Sequence, residues 1–131
     1  MTRYLADTYA FIEALEGNPR YARIMRGGKV ATTAMNVAEL HYALLRNGLD
    51  VPEAERISRA ALGLVAEVPA DIAIAAATTR MAMNTRLRKA GAAGRLSHVD
   101  AWGYEAARGM GLLFLTGDPV FRGMPGVEFV R

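Results

Sequence analysis

Short unbroken apolar runs and longer stretches of helical period take turns along this chain, with glycine, asparagine and proline marking the joints. Arg3 to Ala6 reads as a buried strand, and Asp7 opens a helix to about Leu15, broken by Gly17-Asn18-Pro19. A short helix from Pro19 to Met25 ends at Gly27-Gly28. Lys29-Val30-Ala31-Thr32-Thr33 has β character, and a longer helix follows from about Met35 to Arg46, stopped by Asn47-Gly48. Val51-Pro52-Glu53 starts a helix predicted to reach Val65, followed by a brief extended segment near Glu67-Val68. An alanine-rich helix begins at Asp71 and carries its polar end, Arg80 to Lys89, into Gly91-Ala92-Ala93-Gly94. Ser97 is suited to cap a helix to about Gly109. Leu112 to Thr116 reads as a strand covered on both faces, and Val127 to Val130 supplies a last short strand.

Strands alternating with helices predict an α/β sandwich around a mostly parallel sheet, with residues 1–131 forming one domain. No internal repeat, low-complexity tract or linker divides the chain. Parallel sheets bind ligands at the carboxyl ends of their strands, above all where the strand order reverses. That rule directs attention to Asp7 and Asp118, each of which follows a predicted strand. Glu39 and Asp100 lie in the early turns of predicted helices beside Val37, Leu40, Val99 and Trp102.

Composition narrows the chemistry. With 131 residues and 52% hydrophobic content, the chain can bury a proper core without disulfides or structural metal. It has no cysteine, which excludes thiolate zinc sites, iron–sulfur clusters and disulfide frameworks, and fits a reducing cytoplasm. No apolar run reaches bilayer length, and Asp7 falls where a secretory signal would need its apolar centre. The expectation is a cytoplasmic protein with no membrane segment. Net charge is +3, and once four of the 13 acidic residues are assigned to one pit, the remaining surface is strongly basic. An acidic hole ringed by positive charge suits a phosphodiester substrate.

Bare carboxylates against apolar runs are costly unless a cation offsets them. Gathered by the fold, Asp7, Glu39, Asp100 and Asp118 would make an oxygen-lined site for Mg²⁺ or Mn²⁺. Each also has a plainer reading. Asp7 can cap the helix after its strand, Asp118-Pro119 can start a turn or helix, and Ser97-His98-Val99-Asp100 fits a capping box. Glu39 can be an ordinary solvated helix residue. His41 and His98 read as structural or surface histidines, and Ile72, Ile74, Met81 and Met83 as core or subunit contact. Arg86, Arg88, Lys89 and Arg95 form a cluster whose default is a solvated helix end and whose second reading is phosphate contact.

Four segments in order carry a family pattern: Tyr4-Leu5-Ala6-Asp7-Thr8, Asn36-Val37-Ala38-Glu39-Leu40, Leu96-Ser97-His98-Val99-Asp100-Ala101 and Leu115-Thr116-Gly117-Asp118-Pro119-Val120-Phe121. Together they resemble PIN-domain ribonucleases, most of all the small VapC toxins of toxin–antitoxin pairs. The resemblance implies a three-layer PIN-like sandwich, with a twisted parallel sheet between helices and all four acids facing one cleft. It implies that Asp7 and Asp100 are the principal metal ligands, with Glu39 and Asp118 binding a second ion or positioning water. Thr8 and Thr116 would orient the carboxylates. It further implies one or two Mg²⁺ or Mn²⁺ ions, an RNA substrate cut to 3′-hydroxyl and 5′-phosphate ends, a VapB-type antitoxin and a homodimer. Apolar helix surfaces at Ile12-Leu15 and Leu44-Leu45 are candidate docking sites and equally candidate core. Gly117 departs from the family, which often has a larger residue there, and its flexibility would loosen Asp118.

Two other classes compete. A receiver or aspartate-based phosphatase would also place acids at strand ends. However, neither Lys29 nor Lys89 follows the late strand, and Asp7-Thr8-Tyr9 lacks a second phosphatase acid. A catalytically silent PIN-like module that binds RNA or protein would keep the fold without the reaction.

Overall fold

Asp7 ends the first strand by changing role from sheet partner to helix cap. In the computed structural model, which describes residues 1–131, β1 (Tyr4–Ala6) leads directly into α1 (Thr8–Leu15). The Asp7 N–H still donates to Leu115 O at 3.2 Å, while its side chain accepts from Ala10 N. Asn18 and Pro19 start α2 (Pro19–Arg26), and Gly28, at φ 73°, turns the chain into β2 (Val30–Ala31). Thr33 caps α3 (Ala34–Arg46) and Asp50 caps α4 (Val51–Leu62). The long α5 (Ile72–Lys89) packs on α6 (His98–Gly109). β3 (Leu113–Thr116), a 3-10 turn over Pro119–Phe121 and β4 (Val127–Phe129) complete the chain.

Two expected boundaries move. Helix α4 stops at Leu62 instead of Val65 because Gly63 ends it, and the released chain extends at Val65 instead of Glu67-Val68. There it forms a parallel bridge with Thr32, through Thr32 N to Leu64 O at 2.9 Å and Ala66 N to Thr32 O at 3.0 Å.

All sheet pairings are parallel, in the order β2-β1-β3-β4. Side-chain alternation divides the interior into two layers. Ala6 and Leu115 point into the α1–α4 layer with Phe11, Leu40 and Leu44, and Leu5 and Phe114 into the α5–α6 layer with Leu96, Tyr104 and Phe121. Burying each large apolar side chain contributes about 1.5–3 kcal/mol, so both layers hold the sheet strongly. Gly103 lets α6 approach β3 closely, since a Cβ there would lie 2.9 Å from Phe114 Cε1. Asp100, one turn earlier on α6, is thereby brought towards the strand ends.

The topology matters for function. From β1 the chain moves outward to β2, then crosses to β3 on the other side of β1. Strand order therefore reverses between β1 and β3, and their carboxyl ends carry Asp7 and, two residues beyond Thr116, Asp118.

Candidate active site

At this reversal the fold opens a cleft of about 480 Å³, lined by Asp7, Glu39, Asp100 and Asp118 among others. The four acids come from the end of β1, the second turn of α3, the first turn of α6 and the turn after β3. Asp7 is buried at 4% exposure, and the other three are half-buried.

Each carboxylate is fixed through part of its hydrogen-bonding capacity. Asp7 Oδ1 accepts from Ala10 N at 2.9 Å, and its Oδ2 accepts from the Thr116 hydroxyl. Thr116 Oγ1 in turn accepts from Asp118 N at 3.1 Å, tying the two strand ends together. Asp118 Oδ1 accepts from Val120 N at 3.1 Å. Thr8 donates to Glu39 Oε1 at 2.7 Å. Asp100 closes a full capping box, accepting from Ser97 N at 2.8 Å while Ser97 Oγ accepts from Asp100 N. Capping and cleft lining therefore coexist in one residue.

Glu39 Oε2, Asp100 Oδ1 and Asp118 Oδ2 have no hydrogen bond from the protein. Asp7 keeps a second lone pair on each oxygen. This all-oxygen donor set fits a hard divalent ion. The set is open as it stands, since no three acidic or histidine side chains are gathered tightly enough to hold one ion.

Electrostatics favours a cation in the cleft. Burial pushes the Asp7 carboxyl up to about 7, opposed by its bonds from Thr116 and Ala10 and reinforced by the charges of Asp100 and Asp118. Burial also raises Glu39 and Asp100, with Asp100 acting on Glu39 and Asp118 acting on Asp100. Mutual repulsion of this kind is relieved by a positive ion.

The PIN-domain family model matches residues 4–127. The chain belongs to the PIN-domain family. Solved structures share the fold at low sequence identity. A toxin–antitoxin complex from Klebsiella pneumoniae aligns with TM-score 0.71 and 20% identity, covering 95% of each chain. VapBC2 from Rickettsia felis, bound to a DNA fragment from its promoter, aligns with TM-score 0.69 and 15% identity over 98% of each chain. The sarcin–ricin loop cleaving toxin VapC20 of Mycobacterium tuberculosis aligns with TM-score 0.63 and 20% identity, covering 95% of this chain and 98% of that one. A comparison with curated proteins finds no match.

Within this PIN domain, Gly117 is not a flexible hinge. It is buried, and a Cβ would fall closer than 3.0 Å to Val130 O, the Tyr9 ring and the Tyr21 hydroxyl. Close packing requires glycine, and the bonds at both sides of Asp118 hold that residue in place. The basic cluster is placed differently from the acids: none of Arg86, Arg88, Lys89 and Arg95 lines the cleft. Arg88 and Lys89 are exposed at the end of α5, and Arg95 braces its own loop through Ala92 O and Gly94 O. His41 bonds Ser58 at 2.8 Å between α3 and α4, and His98 meets Arg80 at 3.2 Å, so both stand outside the cleft.

Three residues that line or support the cleft lie outside the set of site residues expected from the sequence. Asn36, buried at the start of α3, accepts from Thr33 at 2.7 Å and donates to Thr8 at 3.3 Å, supporting the hydroxyl that holds Glu39. Tyr42 and Arg46 line the rim, three and seven positions after Glu39. That spacing places all three on one helix face, the one signal from which the rim pair could have been found.

Proposed function

We propose that this PIN domain is a metal-dependent endoribonuclease and the toxin of a VapBC-type pair. The observation that carries the reading is the convergence of four distant acids on one cleft at the strand-order reversal, three of them with an unengaged oxygen. Asp7 and Asp100 are the principal ligands, and Glu39 and Asp118 hold a second ion or orient the attacking water. A bound Mg²⁺ or Mn²⁺ supplies Lewis-acid charge to the phosphate and a more acidic water.

The chain's own residues do the rest. Thr116 and Ala10 N fix the buried Asp7, so little reorganisation remains at that point when substrate arrives. Thr8, itself held by Asn36, donates to Glu39 Oε1 and leaves Oε2 for a ligand or a water proton. Arg46 offers a phosphate contact at the rim, beside the exposed Tyr42 ring that can stack on a base.

The partner reading rests on a second surface. Phe11, Leu15, Met25, Leu40, Ile57 and Leu64 line an apolar groove of about 380 Å³ between α1, α2 and α4, suited to one face of an antitoxin helix. Leu15 also lines a smaller apolar pocket with Ile12 and Leu44. The exposed Ile74 and Met81 on α5, at 75% and 72%, are the contact for a homodimer.

Purified protein incubated with structured RNA and Mg²⁺ or Mn²⁺ tests the activity. Cleavage is expected, with Asp7→Asn and Asp100→Asn each slower by about 100-fold or more, the scale of losing one charged group at a reacting centre. Binding without cleavage by the wild type would favour a silent RNA-binding module. Full activity in both variants would remove these acids from the centre.

A further inference from the structure

A larger concavity, about 640 Å³, lies on the other side of the sheet between α5, α6 and the chain from Pro119 to Pro125. Its volume is in the roughly 300–1,000 Å³ range of small-ligand sites. Met83, Leu87, Val120 and Met124 give it apolar walls, and Arg86, Arg108 and Arg122 bring three guanidinium groups to it. The one carboxylate there, Glu105, is engaged by the Thr79 hydroxyl at 2.7 Å.

The three arginines share one setting. None pairs with a carboxylate; the chain's only ion pairs join Arg56 to Glu53 and Arg59 to Glu55 on α4. Each meets an uncharged group instead. Arg108 Nη1 donates to the Tyr104 hydroxyl at 3.0 Å and to Pro125 O at 3.2 Å, Arg122 stacks 4.6 Å from the Phe129 ring centroid, and Arg86 reaches Met83 Sδ. Their positive charge is thus retained and partly pre-oriented, with other guanidinium nitrogens available for an anion.

The groove also adjoins the acidic cleft. Asp118 lines the cleft, and the next two residues, Pro119 and Val120, line the groove, so one turn of chain separates them. Arg108 is two turns along α6 from Asp100, about 12 Å at 1.5 Å rise per residue.

We infer that this groove, lined by Arg86, Arg108 and Arg122, is an extended subsite for single-stranded RNA, receiving nucleotides on one side of the phosphate held in the acidic cleft. The inference rests on the nuclease reading for the location of that phosphate. Guanidinium groups beside apolar walls match the alternation of phosphate and base face along a single strand. The apolar groove suited to a partner helix lies in the opposite layer, which favours nucleic acid over a protein segment here.

The test is fluorescence anisotropy of the full chain with a short labelled single-stranded RNA in chelator. Because nothing is cut, the result is independent of whether the acidic cleft is catalytic. Arg108→Gln with Arg122→Gln is expected to weaken binding about tenfold or more and to reduce the salt slope by about 1.4, at about 0.7 for each of two phosphates left without its arginine. Arg86→Glu, at an exposed site whose only side-chain bond is to Met83 sulfur, is expected to weaken it as well and guards against misfolding of the double variant. Wild-type affinity and salt slope in both proteins would overturn the inference. So would a loss confined to a polyglutamate peptide probe, which would assign the groove to an acidic protein segment.

Discussion

Asp7 concentrates the tension of this fold in one side chain. Its folded carboxyl titrates near 7, against 3.8 for the free group, chiefly because it is buried. Below pH 3.8 both states carry the proton and there is no penalty. Between 3.8 and 7 the unfolded chain ionises first, so the stability associated with the protonated carboxyl is lost as pH rises, on the order of 4 kcal/mol by linkage. Glu39 and Asp100, also raised, act in the same direction. In chelator, Asp7→Asn is therefore expected to gain stability relative to wild type as pH rises from about 4 to 7, and to hold that gain above 7. Urea unfolding across this range checks it; a difference between the two proteins that does not change with pH would contradict it.

At the level of elements, the site depends on how helices begin. Asp7, Thr33, Ser97 and Asp118 all cap the element that follows them, and three of these caps lie on the strand ends or helix starts that form the cleft. Ser97 is the clearest case because its hydroxyl and backbone N–H both engage Asp100. Ser97→Ala is expected to cost about 1 kcal/mol of stability and to weaken metal binding, because the Asp100 N–H loses its acceptor and the first turn that carries the carboxylate loosens, although the Ser97 N–H still donates to that carboxylate. Thermal unfolding and metal titration of the same variant check both parts; a lower melting temperature with unchanged metal affinity would separate the cap from the site.

For the whole molecule, the sequence was most readable where chemistry and punctuation coincide. Acids that stop apolar runs announced the strand ends, and glycine, asparagine and proline divided the helices, so the element order and the parallel α/β sandwich followed. What escaped depended on tertiary choices. Which side of the sheet α5 would cover decided that Arg88 and Lys89 stand away from the cleft, and no local pattern encodes that. Asn36 stands inside one of the four family segments, but its role lies in a bond to Thr8, far away in sequence, which no local pattern shows. Gly117 suggested freedom, whereas the packing of Val130, Tyr9 and Tyr21 around it makes it a constraint.

The central claim is that carboxylates from separate elements make one cleft a cation-binding centre with Asp7 and Asp100 as its principal ligands, and calorimetric titration of Mn²⁺ into wild type, Asp7→Asn and Asp100→Asn tests it most directly. Wild type is expected to bind, with affinity falling as pH drops through the raised titration range of these acids, and both variants to bind far more weakly. No binding by wild type, or equal and pH-independent binding by all three proteins, would contradict the claim.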